Sequence, residues 1–274
     1  MTAFAELAVT TNFSFLRGGS HPEEMVVQAE ALGLAGIAVA DRNTVAGVVR
    51  GHAMAKERGY RYAIGTRLVF GDGTPEILAW PTDRDAWGRL CRLLTAGNRR
   101  APKGECHLDF GDLLEWGAGL MLGVMPGRDP GRLPSEKTGG QVIPFERPTV
   151  PSAPTDVPAT LAALKAAFPG NVRLMANRLH GPGDQRRLAR LARIGRHYGV
   201  PLVATNDVLC HHPDRRPLQD VLTCIREHCT IHTAGRRLEA NAERHLKPGA
   251  EMARLFAGYP GAIAESVAVL ERLG

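Results

Sequence analysis

The stretch GLAGIAVADRN, residues 33–43, decides how the rest of the chain is read. From Ala35 to Ala40 no residue is polar, and the run is bounded by Gly33 and Asp41. A strand with one wet face alternates apolar and polar residues. An unbroken apolar run instead reads as a strand buried on both faces, as parallel sheets with helices on their flanks require. Asp41 then stands at the carboxyl end of a strand, where α/β sheets and barrels collect their ligands.

Working outward, Ser20-His21-Pro22-Glu23 offers a helix cap at Ser20, a proline in the first turn and a carboxylate three residues after the cap. Met25, Val26, Ala29 and Leu32 follow at helical spacing, and Gly33 ends the helix. Before it, the short run Glu6 to Val9 reads as a strand, leaving through Thr10-Thr11-Asn12 and the turn Arg17-Gly18-Gly19. After it the alternation continues. A helix is expected over Val45 to Arg58, a strand over Tyr60 to Ile64, and a hairpin-like turn at Phe70-Gly71-Asp72-Gly73. A strand over Glu76 to Trp80 and a helix over Asp83 to Thr95 come next. Beyond the strand Leu120 to Met125, residues Pro126 to Pro158 are dense in Pro and Gly without hydrophobic period, and read as a long loop or disordered insert. Order returns with a helix at Ala159 to Phe168, a strand at Val172 to Ala176, a helix at Gly183 to Tyr198 and a strand at Pro201 to Thr205. From Arg215 the chain reads as mainly helical. Strands alternating with helices argue for a parallel sheet or barrel.

Composition sets outer bounds. At 274 residues and 44% hydrophobic content the chain can bury a full core, as one barrel or two small domains. The net charge of +6 suits a phosphate-rich partner but also describes an ordinary basic surface, because the cations are spread along the sequence. Five cysteines without Cys-x-x-Cys spacing indicate neither a disulfide framework nor a zinc ribbon, and a reducing cytoplasm is expected. No basic leader and no apolar run of about 18 residues is present, so neither export nor a membrane partner is expected. The basic clusters Arg99-Arg100 with Lys103, and Arg186-Arg187, could meet a phosphodiester backbone. With aromatics at 5%, no stacking platform accompanies them, and a solvated face is the plainer account.

Three segments leave strand ends with polar residues: Thr10-Thr11-Asn12, Asp41-Arg42-Asn43 and Thr205-Asn206-Asp207. The last continues to His211 and His212, within reach of a metal or phosphate. Two readings stay open: a metallohydrolase centre, or Asx residues bonding loop amides beside a solvated His-His turn. His21, His52, His197, His228, His232 and His245 fall singly, without partners at ligand spacing.

Taken together, TNFSFLRGGSHPEEMVVQAEALGLAGIAVADRNTVAGVVRGHAMAKERG (11–59), LVATNDVLCHHPDRRPLQDVLTCI (202–225) and NAERHLKPGAEMARLF (241–256) resemble bacterial DNA polymerase III α subunits. The matched part of that family is the polymerase-and-histidinol-phosphatase (PHP) domain, and the similarity spans the chain apart from residues 126–158. SFLRGGSHPEE (14–24) and RRPLQDVLTCIREH (215–228) are most similar to the error-prone, damage-tolerant branch. The resemblance implies a distorted (βα)7 TIM-like barrel, with a PHP domain over residues 1–235. A helical C-terminal segment over 236–274 would lead toward a palm domain absent from this chain.

In the family, strand ends hold up to three metals through His, Asp, Glu and sometimes Cys. Carried over residue by residue, the first His-x-His falls on Ala8-Val9-Thr10. A ligand carboxylate falls on Arg17, the His after Asp41 on Arg42, a Glu on Arg67, and the last Asp-x-His on Asp207 and Leu209. Arginine, charged at any ordinary pH, repels a divalent ion. No metal is therefore expected, or, if any, one held through Asp207. Arg17, Arg42 and Arg67 are expected to converge and to pair with Asp207 and Asp41.

The function so implied is a non-catalytic, metal-site-degenerate scaffold of an error-prone polymerase, active in translesion synthesis and SOS mutagenesis. Its partners would be the thumb and palm, which would bind Mg²⁺ and DNA, and other proteins of the mutagenesis machinery. The alternative is a metal-dependent phosphoesterase or 3′–5′ exonuclease using Asp207 with substitute histidines. A third is a docking module built on the basic surface or on residues 126–158.

Overall fold

The computed structural model describes residues 2–127, 153–178 and 180–273. In chain order its elements are β1 (Ala5–Val9), α1 (Pro22–Ala31), β2 (Gly36–Arg42), α2 (Val48–Arg58), β3 (Tyr62–Leu68), β4 (Ile77–Pro81), α3 (Arg84–Arg100) and α4 (Phe110–Trp116). They continue with β5 (Leu120–Val124), α5 (Val157–Ala167), β6 (Val172–Ala176), α6 (Asp184–Tyr198), β7 (Leu202–Ala204), α7 (Arg216–Arg226), α8 (Ile231–Ala234), α9 (Gly249–Leu255) and α10 (Pro260–Arg272). Most of the segment 126–158 read as a loop or insert, residues 128–152, lies outside the described residues.

The strands form one sheet in the order β1 to β7, a nearly closed, distorted (βα)7 barrel as expected from the resemblance. The run that read as doubly buried is β2, which pairs in parallel with both β1 and β3. β4 runs antiparallel to β3 and β5, in keeping with the hairpin-like turn read at Phe70-Gly71-Asp72-Gly73. The short connection from Leu68 to Ile77 permits only a hairpin, because a parallel crossover needs a dozen or more residues. Helix α4 was not anticipated; its capping box, with Asp112 accepting from the Asp109 N–H at 2.9 Å, lies in a sequence too short to show a period.

Between β1 and the residues after β7 the ladder is reduced to two bonds. Thr10 N–H donates to Val208 O (2.9 Å) and Val208 N–H to Ala8 O (3.0 Å). A buried side chain completes the seam. Glu6 accepts from Ala8 N–H (3.0 Å), from Asn206 N–H (2.7 Å) and from the Thr205 hydroxyl.

The barrel interior is packed with Ala38, Ala40, Leu78, Trp80, Met121, Met175 and Val203. Trp80 lies flush on its neighbour strand: a Cβ on Gly65 would come within 2.4 Å of its ring, so only glycine fits there. The amino-terminal mouth is closed by α10, whose Val269 and Leu270, with Leu273 just beyond, join the interior cluster. Gly36 makes room for this plug, since a Cβ there would stand 2.6 Å from Leu270 Cδ2. Arg61 ties it down through bonds to the Leu270 (3.1 Å) and Leu273 (2.7 Å) carbonyls. No helix among the described residues is long and apolar enough to cross a membrane.

Candidate functional site

With its other mouth plugged, the barrel opens where the carboxyl ends of β1, β2, β3 and β7 meet the loop 10–20 and α7. The cleft there has a volume of about 230 Å³. It is lined by Thr10, Arg17, Arg42, Arg67, Asp207 and Leu209 from the set singled out in the sequence, with Glu76, Gln219, Thr223, Arg226, Glu239 and Arg244. Ala8 is fully buried in β1 and offers no donor side chain.

Asp207 stands just after β7 with a positive φ of 49°. Its conformation is held from both sides: its N–H donates to the Thr205 hydroxyl (2.9 Å) and its carbonyl accepts from Arg244 Nε (2.8 Å). The carboxylate is shared by two guanidiniums, with Arg67 Nη2 on Oδ1 and Arg244 Nη2 on Oδ2 at 2.6 Å. Burial alone would raise its pKa, but Arg244 and then Arg67 outweigh burial and bring it down to about 2.

Arg67, 6% exposed, also reaches Glu76 Oε2 (3.0 Å), while Arg42 Nη1 binds Glu76 Oε1 (2.5 Å). Burial works against charge on Arg67, yet Asp207 and Glu76 more than offset it and hold the guanidinium above its ordinary pKa. Glu76 is correspondingly lowered by Arg67 and Arg42 against the opposing effect of its burial. Arg244 extends the network to Glu239 (2.8 Å).

Two expectations need correction. Asp41 does not pair with an arginine: its carboxylate accepts from Thr11 N–H (2.7 Å), the Thr11 hydroxyl (2.7 Å) and the Ser14 hydroxyl (2.6 Å). Burial pushes its pKa up in spite of these bonds. The cap of α1 is His21 rather than Ser20; Glu24 accepts from the His21 N–H at 2.8 Å, and the Ser20 hydroxyl is 2.8 Å from His211 Nδ1. Neither His211 nor His212 lines the cleft, and His212 accepts from the Asp214 N–H at 3.4 Å. Asn206 ties the loop after β7 to residues 243–245, donating to the Glu243 and His245 carbonyls at 2.6 Å.

Sequence reasoning missed Glu76, Arg244 and Glu6. Only Glu6 left a local signal, a lone carboxylate within the apolar opening Phe4-Ala5-Glu6-Leu7-Ala8-Val9.

A metal centre needs several His, Cys, Asp or Glu donors converging on one point. Among the described residues no group of three or more does so. Of the two carboxylates at the strand ends, Asp207 is taken by guanidiniums and Asp41 by hydroxyl and amide donors. The side chains present do not fit a divalent ion.

No protein-family profile matches the chain. It is 49% identical over 271 residues to an error-prone DNA polymerase of Caulobacter vibrioides, covering 99% of this chain and 23% of that protein. It is 51% identical over 269 residues to one of Brucella abortus, covering 96% of this chain and 23% of that protein. The chain thus spans about a quarter of the length of these curated relatives. Among solved structures it is similar to a protein of Bifidobacterium adolescentis described as a metal-dependent phosphoesterase. There the TM-score is 0.52 and the identity 15%, over 76% of this chain and 88% of that one, a likeness of fold.

Proposed function

The chain is a PHP barrel related over nearly its whole length to error-prone DNA polymerases, and from that premise we propose that it is a non-catalytic scaffold domain. In this reading it packs against the thumb and palm of a larger polymerase, which carry the Mg²⁺ and the DNA. The domain supports synthesis across lesions in the SOS response, alongside other proteins of the mutagenesis machinery.

One observation carries the non-catalytic reading. The last carboxylate of the family's metal motif, Asp207, is neutralised on both oxygens by Arg67 and Arg244, and Arg67 occupies a family ligand position. An isolated buried carboxylate costs several kcal/mol. The two guanidiniums remove that cost without a metal, and they hold both Asp207 oxygens in ion pairs that a metal ligand or general base would have to break. A phosphoesterase or 3′–5′ exonuclease using Asp207 with His211 or His212 would need those histidines in the cleft, which they do not line.

The test is elemental analysis of purified protein combined with hydrolysis assays on phosphomonoesters and 3′-ended DNA in Mn²⁺, Zn²⁺ and Mg²⁺. The expected result is substoichiometric metal and no turnover above background. Stoichiometric metal with turnover abolished by Asp207→Ala would overturn the proposal.

A further inference from the structure

Ion pairing accounts for most of the cleft's charge but not all of it. Five guanidiniums line it, those of Arg17, Arg42, Arg67, Arg226 and Arg244, against three lining carboxylates, those of Glu76, Asp207 and Glu239, and Glu227 just outside the lining pairs with Arg226, so one positive charge remains. Arg42, Arg67 and Arg244 are engaged with these acids. Arg226 is committed elsewhere, to Glu227 (3.0 Å) and to the Leu16 carbonyl (2.7 Å).

Arg17 differs from the other four. Its main chain is held, with its carbonyl accepting from Gln219 Nε2 at 2.6 Å, so the residue sits firmly on the cleft wall. Its guanidinium, half-buried, has no hydrogen bond or ion pair with any described residue. Burial, then Arg42 and Arg226, bring its pKa down to about 10 against the smaller opposing pull of Glu76 and Glu227. The Nε–H of Arg67, buried in the same lining, also lacks a partner.

We infer that this cleft is a metal-free binding site for a phosphate group, with the unpartnered Arg17 guanidinium as its principal anchor. The inference rests on the reading above that arginines have taken the place of metals. Guanidinium forks match a phosphate's oxygens in geometry and charge, and the anion supplies the negative charge that Arg17 lacks. The Thr10 side chain on the same wall is suited to complete the shell of donors. The phosphate can come from a free anion or from the end of a nucleic-acid strand; both present the same group.

Isothermal titration calorimetry on the full chain in chloride buffer with excess EDTA tests this, using inorganic phosphate, pyrophosphate and a 5′-phosphorylated single-stranded oligonucleotide as probes. Saturable binding is expected that Arg17→Ala weakens about tenfold to a hundredfold, the range for a charge-assisted contact. Arg17→Ala removes no ion pair, so its melting temperature in phosphate-free buffer is expected to equal or exceed that of the wild type, which excludes unfolding as the cause. Tighter binding of the oligonucleotide assigns the site to a strand end, and tighter binding of phosphate or pyrophosphate assigns it to the free anion. No binding of any probe, or binding that Arg17→Ala leaves unchanged, overturns the inference while leaving the scaffold reading intact. Binding that EDTA abolishes and Mn²⁺ restores overturns both.

Discussion

Raising the pH from 4.5 to 8 is expected to weaken this barrel through one residue, Glu6. Its side chain is 1% exposed and spans the seam where β1 and the end of β7 share few backbone bonds. Burial pushes its pKa from an ordinary 4.5 to about 7, although the Thr205 hydroxyl and the Asn206 and Ala8 amides favour the ionised form. The folded state therefore holds this proton more tightly than the unfolded chain does. Its contribution is fully present below pH 4.5 and is lost as the pH rises through about 7. At 1.36 kcal/mol per pKa unit, that shift corresponds to about 3 kcal/mol, a substantial fraction of the stability of an ordinary domain.

Other groups titrate in the same window. His211 and His245, both lowered by burial, make stability rise with pH, whereas Asp41, raised by burial, acts in the same direction as Glu6. The informative quantity is therefore the difference between wild type and Glu6→Gln, which keeps the shape and cannot ionise. Urea unfolding followed by circular dichroism at intervals between pH 4.5 and 8 measures it. The wild-type advantage over Glu6→Gln is expected to shrink by about 3 kcal/mol across that range. A pH-independent difference would refute the assignment of Glu6 as a buried, protonated seam residue.

Two further outcomes follow from the same contacts. Asp207→Ala leaves the Arg67 and Arg244 guanidiniums without their shared carboxylate and is expected to cost about 3–5 kcal/mol in urea unfolding, with Arg67→Met in the same chain recovering part of the loss; a loss in the single variant no larger than for a surface substitution would show that the cluster is not a stabilising ion-pair network. Leu270→Ala empties the plug at the amino-terminal mouth and is expected to lower stability by about 2–5 kcal/mol, measured by the shift in denaturation midpoint, whereas an unchanged midpoint would show that α10 is not part of the barrel core.

The fold was largely legible because its strongest signals are local. The unbroken run Ala35 to Ala40 reads as β2 and the helix-period segments as α1, α2 and α6, and strand ends carrying Asp41 and Asp207 mark one rim of the barrel. What escaped depends on distance along the chain. Helix α10 reads as a C-terminal extension until its Leu270 is seen filling the opposite mouth. At the site the convergence of the arginines could be expected from the family's ligand positions, but their partners could not. Arg244 lies 37 residues from the Asp207 carbonyl it binds, and Glu76 lies in a loop with no motif of its own. Asp41 was assigned an arginine partner because the family's ligand positions gather Arg17, Arg42 and Arg67 around the same strand ends. The Thr11 amide and hydroxyl and the Ser14 hydroxyl satisfy that carboxylate instead.

Why arginines, rather than neutral residues, stand at the lost ligand positions follows from what was kept. Asp207 is held by its backbone in a left-handed conformation with its carboxylate directed into the cleft, and a structure that kept this acid without metals had to neutralise it from within. Arg67 and Arg244 do so, one on each oxygen, and Arg42 with Arg67 does the same for Glu76. That requirement accounts for three of the five cations. It does not account for Arg17, whose charge is repelled by Arg42 and Arg226, is only weakly offset by Glu76 and Glu227, and forms no ion pair with a described residue. A cluster under selection for neutrality alone would be better off without it, so its place on the cleft wall is explained by something that arrives from outside with negative charge.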